Sequence, residues 1–345
     1  MKLRGSCESF CPETETKMRI KEKLLNFYEY KNGQKNVPGL LVKEFTRSAA
    51  GVVTPKVKDM RTEECLVRTV EYLFKEICLD KRKPFRFAYD FIFDRLRAVR
   101  QEIVIQEFDS RQSVRLMEPM IMFLAYSLYT LSTEPIDNFD PKICQQHLQE
   151  CLKRVLCCYD DLEKDPQTES LRNLQRRYFI EALYQIFNLG VFEALSRGLT
   201  LPLHVRQDEV FKLAFNISMD YHRGHLYRVL QNIPTLPHIM CSLASLKMQT
   251  LRRRLLALFS HAYHNKVLTV PVTYLIRLLV LKSPNVLFQQ CRQYNITVSK
   301  DRTAVLFYKN DYNGDINTLK SMHESFVNAK LERINLPEVL LLKKF

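Results

Sequence analysis

Tryptophan is absent and glycine occurs only eight times in 345 residues. Sandwiches and barrels rely on glycine for their tight reversals, so this scarcity weighs against them and leaves helix as the main element. Long apolar runs are missing too. The most apolar stretch, Met120–Leu131, follows Glu118 and Pro119 and is shorter than the roughly 20 residues of a spanning helix. It is expected to be a buried helix, with no membrane involvement. Met1–Phe10 lacks the apolar core of a signal peptide. There is no glycine-rich phosphate loop, no G-x-S-x-G and no H-E-x-x-H, so nothing marks a catalytic centre, a cofactor or a small-molecule substrate.

The ten cysteines lack the even, close spacing of a disulfide framework, which points to thiols in a reducing compartment. Cys7 and Cys11 stand four apart with no second pair nearby, a poor zinc site when four ligands are needed. The H-x-x-H pairs His222/His225 and His261/His264 likewise have no carboxylate or cysteine cluster beside them, so no metal is expected. The vicinal Cys157 and Cys158 fit helix filling.

What is present is an ordinary globular composition, 46% hydrophobic and 26% charged, with a formal charge of +14. The charge is uneven. From Thr200 to Phe345 there are 20 Lys and Arg against 9 Asp and Glu, which places +11 of the +14 there. Such a basic part suits nucleic acid, an anionic surface or an acidic protein.

In Tyr89–Ile103, together with Ala88 before it, Ala88, Ile92, Leu96, Val99 and Ile103 recur at steps of three and four, the spacing of a helix buried along one side. Asp90, Asp94, Arg95, Arg97, Arg100, Gln101 and Glu102 crowd the rest, and Asp90 and Asp94 can each meet an arginine one turn away. A helix is also expected from near Thr16, a short polar helix or turn at Val42–Gly51, and helices at Arg61–Cys78, Arg111–Ser132, Pro141–Leu162, Gln167–Leu189 and Gln207–Met219. Short polar or proline-bearing connections make consecutive antiparallel pairs of these, the pattern of an α-solenoid. CSLASLKMQTLRRRLLALFSHAY continues as helix. Its consecutive Arg252, Arg253 and Arg254 must fan around the axis, turning at least one toward the body of the protein.

The last part has the element order of a winged helix. Pro271–Leu281 is a helix; Ser283 offers an N-cap and Pro284 a first position for another running through Tyr294. Ile296–Val298 and Thr303–Phe307 flank the turn Ser299–Arg302 as a short β-hairpin. Asn285, Gln289, Gln290, Arg292 and Gln293 on that helix, Lys300 and Arg302 on the wing, and Arg252 and Lys282 are the residues expected to contact nucleic acid.

Four stretches resemble the Sac-three/GANP homology domain: G-x-C-x-x-x-C-P-E at Gly5–Glu13, with Cys7, Cys11 and Pro12; VKEFTRSAAG at Val42–Gly51, with Arg47 and Ser48; DFIFDRLRAVRQEI at Asp90–Ile103; and the aromatic segment ending NLG at Gly190. The resemblance implies a non-enzymatic, all-α, helical-repeat (TPR/PCI-like) α-solenoid ending in a winged helix with a short β-hairpin. Residues 1–60 would be an N-terminal hook, 61–265 the scaffold, 266–330 the winged-helix unit and 331–345 a tail. It further implies a messenger-RNA-export scaffold of nucleus and cytoplasm that pairs with a PCI-domain protein carrying a small acidic Sem-type subunit and binds RNA. A short member of the family is linked instead to centrosome duplication and the mitotic spindle, as an adaptor without nucleic acid. On this resemblance Asp90, Asp94, Arg95 and Arg97 are fold-holding salt bridges. Asn295 stands where the family usually has glycine, and Phe93 where it usually has tryptophan.

Overall fold

The structure is a computed structural model and describes residues 3–31, 34, 37–47, 56–164, 171–314 and 322–344. Ser48 and the rest of its motif to Gly51 lie outside the described residues. The chain is mostly helical with one small three-stranded antiparallel sheet. It divides into two compact units, one formed by Met1–Ser127, Glu134–Leu174 and Asn335–Phe345, the other by Leu128–Thr133 and Gln175–Ile334.

The first unit contains α1 (Glu13–Lys21), α2 (Glu63–Tyr72, continuing as a π-helical turn Leu73–Ile77), α3 (Phe85–Ile105), α4 (Ser110–Thr130) up to Ser127, and α5 (Pro141–Leu162). The apolar stripe of α3 is its core: Ala88, Ile92, Leu96, Val99 and Ile103 are all buried, and burying each large aliphatic side chain stabilises by about 1.5–3 kcal/mol. Tyr89 packs against Phe93, Phe123 and Phe139 with centroids 5.3, 6.0 and 5.1 Å away. Phe93 also meets the His147 ring edge-on at 4.9 Å, so it fills its position with ring contacts on two sides. α5 starts as expected, with Asp140 accepting from the Lys142 amide at 2.8 Å and Pro141 in the first turn. Met120–Ala125 in α4 is buried throughout, and no described helix is long and apolar enough to cross a membrane.

The helix or turn expected at Val42–Gly51 is not formed over its described part, Val42–Arg47. Four successive amides there are claimed by distant acceptors: Val42 by Glu29 at 3.1 Å, Lys43 by the Phe10 carbonyl at 3.0 Å, Glu44 by Glu15 at 3.0 Å and Phe45 by Asp94 at 3.2 Å. Amides bonded in this way cannot close helical turns.

The second unit continues from Gln175 in α6 (Leu171–Phe187) through α7 (Phe192–Thr200), α8 (Leu203–Gln207), α9 (Glu209–His222), α10 (Leu226–Asn232), α11 (His238–Ser245) and α12 (Met248–Ala262). Gly190 ends the turn after α6 with φ +92, and a Cβ there would lie 2.5 Å from the Tyr221 ring, so only glycine fits the NLG motif. The single helix expected from Cys241 to Tyr263 is broken. Leu246 and Lys247 donate three residues back, to Leu243 and Ala244, tightening the last turn of α11 before α12 begins.

After α12 come β1 (Val270–Pro271), α13 (Val272–Leu278), α14 (Pro284–Gln293), β2 (Thr297–Val298), β3 (Ala304–Leu306) and α15 (Ser325–Leu331). The sheet order is β1-β3-β2, with Val298 and Val270 both opposite Val305. β2 and β3 are the expected hairpin. β1 was not expected, and it removes Pro271 from the helix assigned to it, onto a sheet edge where a missing N–H is tolerated. α16 (Leu336–Leu340) belongs to the first unit, where it packs on the π-helical turn.

Candidate nucleic-acid interface

On α14 the apolar Val286, Leu287 and Cys291 are buried, which leaves Asn285, Gln289 and Arg292, at steps of four and three, exposed along one side. Lys282 is exposed just before the helix. Gln290, expected among the surface groups, is buried instead and donates to Gln249 at 3.2 Å. Lys300 and Arg302 are exposed in the β2–β3 turn. The Arg302 guanidinium lies 5.8 Å from the Phe288 ring, which brings the turn against α14.

Asp301 sits between those two cations and fixes the turn. It accepts from the Ser299 hydroxyl at 2.6 Å, the Thr303 hydroxyl at 2.7 Å and the Thr303 amide at 3.2 Å. These bonds, the Ser299 hydroxyl first, hold its carboxyl down at about 2. The surface is thus a set of cations around one fixed carboxylate. Asn295, in the position usually held by glycine, takes φ +54, which asparagine tolerates better than most residues, and donates to the Asp311 carbonyl at 2.9 Å.

Arg252 does not belong to this surface. It is the member of the arginine triplet that turns inward, 1% exposed. It gives Glu324 two bonds, at 2.6 and 3.0 Å, and binds the carbonyls of Leu279 at 2.8 Å and Val280 at 2.6 Å. Arg254 is exposed and lies 5.3 Å from the Tyr221 ring. With four of its five N–H donors bonded to Glu324 and two carbonyls and its side chain buried, Arg252 holds the fold and does not face a phosphate at the surface.

In the first unit the motif residues meet in two buried charge clusters. Glu29, fully buried, pairs with Arg19 and with Arg95 at 3.2 Å, and accepts the amides of Asn26 and Val42. Arg95 also pairs with Asp94 at 2.5 Å and lies 4.5 Å from the Phe91 ring. Glu102, expected on the open face of α3, is buried, accepts three bonds from Arg61, at 2.7, 3.1 and 3.0 Å, and forms an ion pair with Lys43 at 3.1 Å. Gln106 ties in the N-terminal motif, donating to the Arg61 carbonyl at 2.9 Å and accepting from the Gly5 amide at 2.8 Å. A Cβ on Gly5 would lie 2.4 Å from the Met60 carbonyl.

The remaining motif residues divide. Arg97 stacks on Phe45 at 3.8 Å, and exposed Arg47 lines a cleft of about 890 Å³ with Arg97 and Arg100. Asp90 is exposed and forms no ion pair among the described residues, so the one-turn pairing expected for it is not made. Pro12 precedes α1 as its N-cap residue. Cys7 hydrogen-bonds the Ser9 carbonyl at 3.3 Å, and burial pushes the Cys11 thiol up to about 12. The histidine pairs are used separately: His225 meets Asp220 at 3.1 Å, and His264 accepts from the Lys309 amide at 3.2 Å. Among the described residues no group of three His, Cys, Asp or Glu is arranged to hold a metal.

Sequence reasoning missed Glu29 and Glu324 and left Glu102 on the open face of α3. The only signal was that excess arginine in buried helix faces requires carboxylates somewhere.

Comparison with known proteins gives a family match. A model described as the SAC3/GANP family matches residues 10–300. The protein xmas of Drosophila melanogaster is 30% identical over 165 residues, 46% of this chain and 8% of that protein. SAC3 family protein B of Arabidopsis thaliana is 25% identical over 233 residues, 64% of this chain and 13% of that protein. The chain therefore spans a small part of the length of these relatives.

Proposed function

Because the chain belongs to the SAC3/GANP family, we propose that it is a non-enzymatic scaffold of the messenger-RNA-export type, acting in the nucleus and cytoplasm. On this reading its helix pairs form an α-solenoid, and α13, α14 and the sheet act as a winged helix. That end pairs with a PCI-domain partner carrying a small acidic Sem-type subunit, and it binds RNA. The observation that carries the RNA half is the joint exposure of Lys282, Gln289, Arg292, Lys300 and Arg302 on α14 and the neighbouring turn, within the part of the chain that holds +11 of the charge.

Affinity purification with mass spectrometry tests the pairing, and a PCI-domain protein is the expected catch. Filter binding of single-stranded RNA across a salt series tests the surface. Each phosphate contact adds about 0.7 to the slope of log affinity against log salt, so reversing Lys282, Arg292, Lys300 and Arg302 to glutamate flattens that slope and weakens binding at low salt. Unchanged RNA affinity in the reversed variant removes the RNA half. Centrosomal localisation without a nuclear pool would then favour the adaptor of centrosome and spindle.

A further inference from the structure

We propose that Ser283 is a phosphoacceptor for a proline-directed serine/threonine kinase, and that its phosphate weakens nucleic-acid binding by the adjoining surface. The second half rests on the function proposed above. The chain has two Ser/Thr-Pro dipeptides, Thr54–Pro55 and Ser283–Pro284, and the first lies outside the described residues.

Kinases of this class bind the acceptor in an extended strand and need proline immediately after it. Ser283 meets both requirements, with φ -162 and ψ 160 and Pro284 next. Lys282, Pro284 and Asn285 are exposed and Ser283 is half-buried. The last two residues of the connection, Lys282 and Ser283, are less tied than Leu279–Leu281, whose amides all bond back to α13. The Ser283 hydroxyl caps nothing, and among the described residues neither its amide nor that of Lys282 donates to a backbone carbonyl. A serine at a helix start normally uses its hydroxyl to satisfy an amide of the first turn; here the oxygen is left available.

The surroundings suit a phosphate once it is there. A groove of about 550 Å³ beside the connection is bordered by Arg277 and Lys282 and has no carboxylate among its described lining residues. The first amides of α14 point toward the same end of the helix. In the transfer, the Ser283 oxygen bonds to the γ-phosphorus of ATP as the bond to the β,γ-bridging oxygen breaks. ADP departs with that electron pair, and the hydroxyl proton passes to the kinase base.

The product carries close to two negative charges at neutral pH. It draws Lys282 away from RNA; Arg292, roughly 13 Å along the helix at 1.5 Å per residue, lies beyond the screening length of about 8–10 Å at ordinary salt, so the effect falls mainly on Lys282. RNA affinity is expected to fall about five-fold.

The full chain, its Ser283→Ala variant and a Thr54→Ala variant are incubated with ATP and a cyclin-dependent or mitogen-activated kinase, and phosphate is mapped by mass spectrometry. Fluorescence anisotropy with a labelled single-stranded 20-mer then reads RNA affinity. Phosphate on Ser283 in the parent and Thr54→Ala proteins, with weakened RNA binding absent from kinase-treated Ser283→Ala, is the expected result. No phosphate on Ser283 under conditions that label a Ser-Pro control peptide overturns the proposal. Phosphate on Ser283 with unchanged affinity overturns its regulatory half. If the unmodified chain binds no RNA, the RNA half of the proposed function and that half fail together, and the mapped phosphate alone decides the acceptor.

Discussion

Arg252 and Glu324 are 72 residues apart in the chain and meet through two hydrogen bonds of 2.6 and 3.0 Å. Both are buried. Removing one partner of such a pair leaves the other charge without compensation, at a cost of about 3–5 kcal/mol. Arg252→Ala is expected to lower the melting temperature by roughly 10 °C, while its folded fraction keeps the RNA affinity of the parent. A melting temperature within a degree of the parent, or RNA affinity lost at a temperature where the variant is fully folded, contradicts the structural role.

Glu29 joins α1, α3 and the Val42–Arg47 segment through two arginines and two amides. Glu29→Gln keeps the shape and removes the charge, so Arg19 and Arg95 lose their shared anion. Destabilisation of about 3 kcal/mol is expected. Because Val42 hydrogen-bonds Glu29 directly, limited proteolysis should show new cleavage before residue 47 ahead of global unfolding. Cleavage indistinguishable from the parent would rule out Glu29 as the fastening point.

Gly190→Ala meets two separate penalties, a backbone at φ +92 and a Cβ 2.5 Å from the Tyr221 ring. The single variant is expected to lose about 2–3 kcal/mol by chemical denaturation. In a Tyr221→Leu background the clash is relieved and the backbone strain remains, so the same glycine substitution should cost only about 1 kcal/mol. Equal costs in the two backgrounds would show that the ring contact is irrelevant.

The Asp301 carboxyl has a folded value of about 2 against 3.8 for the free group. A lowered value stabilises the turn above pH 3.8 and loses that contribution as pH falls through about 2. Carboxyl-carbon NMR titration should therefore find Asp301 still ionised at pH 3, and Ser299→Ala should raise its midpoint. A midpoint at the ordinary aspartate value would mean that the hydroxyls do not hold the turn.

The helices were legible where a periodic apolar stripe coincided with local end signals. In α5, Asp140 and Pro141 mark the start and the observed bounds are the expected ones. In α3 the stripe was right, yet Glu102 was placed on the open face although it is buried, because a charged residue is buried only when a partner distant in sequence meets it. Glu29 and Glu324 are such partners, each isolated among unremarkable neighbours. The break between α11 and α12 has neither proline nor glycine to announce it. β1 is two residues long and exists because β3 pairs with it, a tertiary cause with no local trace. On α14, residue type singled out Gln289 and Arg292, which are exposed, but also Gln290, which is buried; helical spacing put at least one arginine of the triplet inside without saying which.

The first unit is discontinuous: α16 packs on the π-helical turn Leu73–Ile77, and Lys343 pairs with Glu71 at 3.5 Å. Chains are made from the N-terminus at about 5–20 residues per second, so on the ribosome Leu73, Phe74 and Ile77 wait for their C-terminal cover until Leu336–Leu340 emerges. By then every residue of the second unit has already been synthesised. The nascent chain thus completes the unit begun last before the unit begun first, and holdase chaperones have their longest opportunity at the uncovered end of α2.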